Sequence, residues 1–284
     1  MNITQHKNGI LISAPEDFSL RNTFDCGQCF RFNEQEDKSF VGVAFGKAVS
    51  FSEEENGIYI DNITLDEFNE NWLKFLDFER DYKKIKEKLS MDETMKKAIE
   101  FGGGIRILRQ EFSECVISFI ISQQNNIPKI KKAVEGFCEL FGEKISYMGN
   151  EFYTFPKISA IKDIKAEDLA PLKIGYRDKY IIDAIKKLES GFLNYDELDK
   201  MSYKDAKERL LKVHGIGNKV ADCILLFSLG KFDAFPTDTW IKKAMLDLYG
   251  VTEKNIEKYS QANFGEYSGF AQQYIFYYMR WNKK

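Results

Sequence analysis

The run Val213-His214-Gly215-Ile216-Gly217-Asn218-Lys219-Val220-Ala221-Asp222-Cys223 constrains this chain more than any other stretch, because it reads as a tight glycine corner between two helices. Upstream, Ala206, Leu210, Leu211 and Val213 recur at helical spacing and form one apolar stripe. Gly215 and Gly217 allow backbone angles closed to other residues, and their bare amides can approach an anion such as phosphate closely. The second helix begins near Asn218 and offers Val220, Ala221, Ile224 and Leu225 for burial. Lys219 falls in its first turn, where a cation gains nothing from the helix dipole, so a purely structural role explains it poorly. Asp238 follows in Pro236-Thr237-Asp238-Thr239-Trp240, ahead of a third helical pattern that it could cap for about 1 kcal/mol. A Gly-x-Gly corner alone also suits noncatalytic binding modules and ordinary helix corners. The lysine and the aspartate are what point to chemistry.

The rest of the chain divides in two. Residues 1 to about 62 suggest antiparallel sheet, with β-prone runs at Ile10–Ser13, Cys29–Phe32, Phe40–Phe45, Ala48–Phe51 and Ile58–Ile60, and Asn56-Gly57 as a hairpin signal. From Leu65 the periodicity turns helical, predicting helices near 65–76, 78–89, 92–101, 111–123, 127–141, 158–164, 177–190, 203–212, 218–229, 239–248 and 269–281. Gly102-Gly103-Gly104 marks a break, and Gly142 to Thr154 suggests an irregular crossing. The expected fold is α+β: a small N-terminal antiparallel β-sheet domain over 1–100, then a larger all-helical domain over 101–284 with the helix-hairpin-helix at about 203–229.

Bulk properties bound the function. An apolar content of 44% over 284 residues is ample for a real core. A net charge of −3 argues against nonspecific coating of nucleic acid, so any basic surface must be local. No apolar run approaches the roughly 20 residues that cross a bilayer, and the amino terminus lacks the order of a secretory signal, so the expectation is a cytoplasmic protein without membrane contact. The five cysteines are scattered and odd in number, against a disulfide framework. Cys26-Gly27-Gln28-Cys29 has the spacing of half a zinc site, but His6 and His214 are the only histidines and no second pair completes it, so no metal is expected there.

The hairpin, Lys219 and Asp238 together resemble the helix-hairpin-helix DNA glycosylases. Three more segments narrow the likeness: Gly104-Ile105-Arg106-Ile107-Leu108-Arg109-Gln110 running on to Ser122-Gln123-Gln124-Asn125-Asn126-Ile127, then Ile174-Gly175-Tyr176-Arg177-Asp178-Lys179-Tyr180, and Gly269-Phe270-Ala271-Gln272-Gln273-Tyr274-Ile275-Phe276. With Phe24-Asp25-Cys26-Gly27-Gln28-Cys29-Phe30-Arg31 in the leader, they are similar to the 8-oxoguanine DNA glycosylases with lyase activity.

The resemblance implies a bifunctional base-excision-repair enzyme acting on double-stranded DNA containing 8-oxoguanine, a monomer in the expected case. Lys219 would be the nucleophile and Asp238 its electrostatic partner. Gly27 would offer a carbonyl to the lesion, Cys223 and Phe276 would sandwich the base, and Gln272 would bond its pairing edge. The residues agree with this in one respect: Lys219 and Cys223 share a helix face, as do Gln272 and Phe276. Gln124, Asn125, Lys129, Tyr176, Arg177, His214, Gly215, Gly217 and Trp240 would contact DNA. The family also suggests a cation bridging hairpin carbonyls and a phosphate. No cysteine follows Cys223, which removes the four-cysteine iron–sulfur cluster of the endonuclease III branch, so no cofactor is expected.

Departures qualify the likeness. Where family members engage the orphaned cytosine with an asparagine and two arginines, this chain has Gln124, Lys129 and Arg177, and lysine lacks the planar two-donor fork that reads a base edge. Trp240 stands where relatives often carry histidine. Two alternatives stay open: a monofunctional glycosylase for alkylated bases, which needs no lysine, and a noncatalytic helix-hairpin-helix DNA-binding protein. Borohydride trapping separates the lyase from both.

Overall fold

The computed structural model describes residues 2–282. Strands β1 (Asn2–His6), β2 (Gly9–Ser13), β3 (Asn33–Glu34), β4 (Phe40–Ala44), β5 (Lys47–Glu54) and β6 (Gly57–Asp61) form one sheet in the order β1-β2-β6-β5-β4-β3, every pair antiparallel. Asn56-Gly57 makes the expected hairpin, since Glu54 pairs with Gly57 across it. One sheet face buries Ile10, Ile12, Phe40, Val49, Phe51, Ile58 and Ile60 with Phe24, Phe32, Trp72 and Phe75. The Phe24 and Phe32 rings stack at 4.5 Å between centroids.

Four expectations need correction. Cys29–Phe32 is not a strand: Phe30 faces the helical core while Cys29 and Phe32 face the sheet core, so this buried segment is wedged between two cores and has no ladder partner. A short aromatic-rich segment resembles a strand whichever arrangement buries it, and here even the charged Arg31 within it is buried. The helix expected over 65–76 is broken by a π-turn at Phe68–Trp72, and the one expected from 78 starts at Tyr82, where Asp81 caps it. Gly142 to Thr154 is not irregular. It holds a hairpin of β7 (Lys144–Tyr147) and β8 (Asn150–Tyr153), whose two-residue turn has positive φ at Met148 and Gly149. Short helices at Leu20–Phe24, Tyr195–Lys200 and Ile256–Asn263 went unread.

The helices that position the site are α1 (Leu20–Phe24), α2 (Tyr82–Leu89), α3 (Glu93–Gly102), α4 (Phe112–Ile121), α5 (Ile127–Phe141), α6 (Arg177–Glu189), α7 (Tyr203–Leu210), α8 (Asn218–Phe227), α9 (Thr239–Tyr249) and α10 (Ser268–Trp281). The apolar faces of α2 to α10 share one core, to which α2 and α3 contribute Ile85, Leu89, Met95, Ala98 and Ile99, while α1 gives Leu20 and Phe24 to the sheet core. α4 and α8 are buried along almost their whole length, as central elements must be. Between the two cores runs the extended segment 105–110. It receives the loop that carries Gly27.

Candidate active site

The corner between α7 and α8 is built around Gly215, whose φ is +86° and where a Cβ would stand 2.1 Å from Tyr180 Cγ. Gly217 is the N-cap of α8 with no side-chain cap, and open space lies beyond it. The first amides of α8 are therefore free to meet an anion. His214 packs its ring edge-on against Tyr180 at 4.7 Å, and its backbone N–H donates to Asp183 Oδ2 at 2.9 Å.

α8 is held at both ends. The Lys207 ammonium pairs with Asp222 at 2.9 Å, and Tyr203 OH donates to Asp222 Oδ1, joining α7 to α8. At the far end Arg109 donates to the carbonyls of Ser228 and Leu229, and Gln110 N–H donates to Phe227 O at 2.7 Å. A helix fixed this way gives Lys219 a defined starting point.

The loop of Gly27 is equally fixed. Gln28 is fully buried; its Nε2 donates to the carbonyls of Thr23 and Arg106, at 2.9 and 2.7 Å, and its Oε1 accepts from Leu108 N–H at 2.9 Å. Gln110 Nε2 in turn donates to Gln28 O. Gly27 itself has φ +78°. Cys26 is buried beside it, with Sγ donating to Thr23 O and accepting from Gln273 Nε2.

All six residues expected to carry catalysis or base binding, Lys219, Asp238, Gly27, Cys223, Gln272 and Phe276, line one cleft of about 50 Å³. Cys26, Phe119, Phe227, Pro236 and Gln273 complete its wall. The cleft is narrower than a purine because the Phe276 ring lies against Gly27: a Cβ there would be 3.3 Å from Phe276 Cε1. Gln272 is 4% exposed, and its Oε1 has no hydrogen-bond partner among the described residues. A buried acceptor left unpaired costs about 1–3 kcal/mol, and a donor entering the cleft would remove that cost. Burial pushes the Cys223 thiol up to about 12, with Lys219 pulling it down and Asp238 pushing it up. It is a neutral, polarisable wall.

Lys219 is half-buried, with Nζ 3.3 Å from Ser122 Oγ and 5.2 Å from the Phe119 ring centre. Asp238 Oδ1 accepts from Ile241 N–H at 2.8 Å and caps α9. Ser122 and Phe119 escaped the sequence reading, although Ser122 opens the quoted Ser122-Gln123-Gln124 run; nothing in the sequence shows that the end of α4 meets α8.

The expected DNA contacts form a partial row. Tyr176, 47% exposed, packs on Tyr180, which packs on His214. Arg177 lies 4.8 Å from the Tyr176 ring centre. Its guanidinium donates to the carbonyls of Ile174, Gln123 and Gln124, bracing a turn in which Gln124 is exposed with φ +45°. Asn125 Oδ1 accepts from Asn126 N–H at 3.0 Å, and Lys129 is exposed on α5. Trp240, 45% exposed, stands in the first turn of α9 beside Asp238.

Residues 10–116 match the family described as 8-oxoguanine DNA glycosylase, N-terminal domain, and residues 117–267 match HhH-GPD superfamily base excision DNA repair proteins. The chain belongs to the 8-oxoguanine DNA glycosylase family. The solved Clostridium acetobutylicum 8-oxoguanine glycosylase/lyase, in complex with double-stranded DNA containing cytosine opposite 8-oxoguanine, is 41% identical, with 100% of this chain and 99% of that chain covered and a TM-score of 0.96. MBOgg1 in complex with a low-affinity DNA ligand is 43% identical, with the same coverage and TM-score. The Arabidopsis thaliana N-glycosylase/DNA lyase OGG1 is 34% identical over 61% of this chain and 51% of its own length. Family membership accounts for both halves of the architecture, the antiparallel sheet and the helical domain with its hairpin.

Proposed function

We propose that this chain is a bifunctional DNA glycosylase that flips 8-oxoguanine out of duplex DNA, excises it through a Schiff base on Lys219 and cleaves the strand by β-elimination. One observation carries the proposal: a lysine, a carboxylate, a glycine loop and a buried amide with an unpartnered oxygen converge on one cleft.

A base inside a duplex is out of reach, so it must be extruded at a cost of roughly a few kcal/mol. Contacts in the slot offset that cost. Guanine N7 is an acceptor, whereas oxidation at C8 leaves N7 carrying a hydrogen, so a fixed Gly27 carbonyl attracts the lesion and repels the normal base. Gln272 meets the pairing edge, and Cys223 and Phe276 take the two faces once the Phe276 ring has moved off Gly27. The Lys219 amine then forms a bond to C1′ as the glycosidic bond breaks and the base departs. The resulting imine acidifies the neighbouring C2′–H, and its loss expels the 3′ phosphate. Asp238 stabilises positive charge developing on the sugar.

Free amides at Gly217 and the start of α8 hold a backbone phosphate near the lesion. A cation between the hairpin carbonyls and that phosphate belongs to the same proposal; the Asp183 carboxylate beside His214 N–H gives this edge the negative charge a cation favours. An iron–sulfur cluster has no part in it. We place the protein in the cytoplasm with the DNA, and no helix among the described residues is long and apolar enough to cross a membrane.

Borohydride trapping on an 8-oxoguanine duplex tests the proposal. A covalent adduct from the wild type and none from Lys219→Gln, with duplex binding retained, is the expected result. Base release without an adduct would turn the assignment to a monofunctional glycosylase.

A further inference from the structure

Ser122 closes α4 where that helix abuts α8. Its hydroxyl proton is committed: Oγ donates to Phe119 O at 2.8 Å. What the oxygen turns toward Lys219 is therefore lone pairs, and Nζ lies 3.3 Å away as the donor. The Phe119 ring, whose centre is 5.2 Å from Nζ, fills a second side of the amine. Ser122 is 8% exposed and Phe119 is 2% exposed, so both sides of this cradle are packed into the core. Phe119 packs in turn on Phe227 of α8, with stacked rings 5.5 Å apart.

We infer that Ser122 is a positioning residue for the lyase, holding the amine of Lys219 by one N–H so that its reactive side faces the cleft. This rests on the proposed role of Lys219. An ammonium and a neutral amine both keep N–H donors, so the same acceptor serves before and after the amine loses its proton. With one N–H on Ser122 and the Phe119 face closing another direction, the lone pair freed by deprotonation points toward the cleft that Asp238 and Gln272 share. The five-bonded side chain of lysine otherwise samples many rotamers, and misplacement of a reacting atom is costly in rate.

The test is single-turnover borohydride trapping on an 8-oxoguanine duplex, beside equilibrium binding of the same duplex, for the wild type, Lys219→Gln, Ser122→Ala, Ser122→Cys and Ser122→Thr. The Ala and Cys variants should trap about ten- to a hundredfold more slowly with binding within about twofold of wild type, because orientation and not affinity is lost. The Thr variant, which keeps the hydroxyl, should recover most of the rate. Trapping at the wild-type rate by Ala and Cys overturns the inference. So does equal slowing in all three variants, which would make side-chain volume the determinant. Failure of the wild type itself to trap would overturn the underlying lyase assignment, a result distinguishable from either.

Discussion

Gly27 and Phe276 touch across the cleft: a Cβ added to Gly27 would sit 3.3 Å from Phe276 Cε1 and equally close to Ile127 Cδ1. The glycine also has φ +78°, a conformation that strains any L side chain by about 1–3 kcal/mol. Gly27→Ala should therefore lower stability by about 1–2 kcal/mol and reduce 8-oxoguanine excision more than tenfold. Lyase activity on a preformed abasic site needs no base in the slot and should survive. The comparison of the two substrates is the measurement, and equal loss on both would assign Gly27 to folding alone.

Gln272 makes the opposite trade. Its Oε1 is buried without a partner, so Gln272→Leu removes an unsatisfied acceptor and should leave the melting temperature unchanged or higher by an amount worth about 1 kcal/mol. Excision of 8-oxoguanine should nevertheless fall about tenfold or more, since the pairing edge of the base loses its contact. A destabilised variant with normal excision would mean that this amide serves packing.

Asp238 caps α9 through Ile241 N–H, and it lines the same cleft as Lys219. Capping and catalysis separate by substitution. Asparagine keeps the capping oxygen, so Asp238→Asn should hold stability within a few tenths of a kcal/mol, whereas Asp238→Ala should lose about 1 kcal/mol. Base release should slow in both, because neither carries the charge. Thermal melts beside single-turnover excision decide it; normal excision by the asparagine variant would reduce Asp238 to a helix cap.

The site was legible in the sequence to the extent that its geometry is local. Lys219 and Cys223, or Gln272 and Phe276, sit one helical turn apart, and periodicity alone puts each pair on one face. Gly215 and Gly217 announce a corner by their backbone freedom. What could not be read are contacts between remote segments: Ser122 meeting Lys219, Gln28 bridging Thr23 to Arg106 and Leu108, Arg109 capping α8. Cys29–Phe32 misled for a related reason: Phe30 serves one core and Cys29 and Phe32 the other, and a short segment buried on both sides imitates a strand. The β7–β8 hairpin hid behind Met148-Gly149, where a methionine occupies a turn position that usually selects Asn or Gly.

Arg177 bears on recognition of the base opposite the lesion. Its donors are spent on the carbonyls of Ile174, Gln123 and Gln124, and Lys129 offers a point charge in place of a fork. Discrimination by a bidentate contact is worth about 1–3 kcal/mol, and little of it is available here. Excision opposite cytosine, adenine, guanine and thymine should therefore differ by about tenfold at most. Rates on the four duplexes check this; a cytosine preference of several hundredfold would require Arg177 to release its carbonyls on binding.

Stability should depend on pH through Arg31 and Glu114, which are buried, and the half-buried Glu135. Arg31 donates from Nε to Glu135 Oε1 at 2.8 Å, while its Nη1 stands 3.8 Å from Glu114 Oε2, too long for a hydrogen bond. Burial pushes Glu114 up to about 8, with Arg31 opposing the shift. Its folded-state value lies above the unfolded one, so between about pH 4.5 and 8 the folded chain binds a proton that the unfolded chain releases. The stabilising effect is full below that window and is lost as pH rises through it. The effect should amount to about 1–3 kcal/mol, because the Arg31 charge opposes the burial. Denaturant melts of the wild type should thus weaken from pH 5 to pH 8.5, and Glu114→Gln should flatten that slope because the amide cannot ionise. An unchanged slope in the variant would show that Glu114 keeps its charge throughout, paired with Arg31.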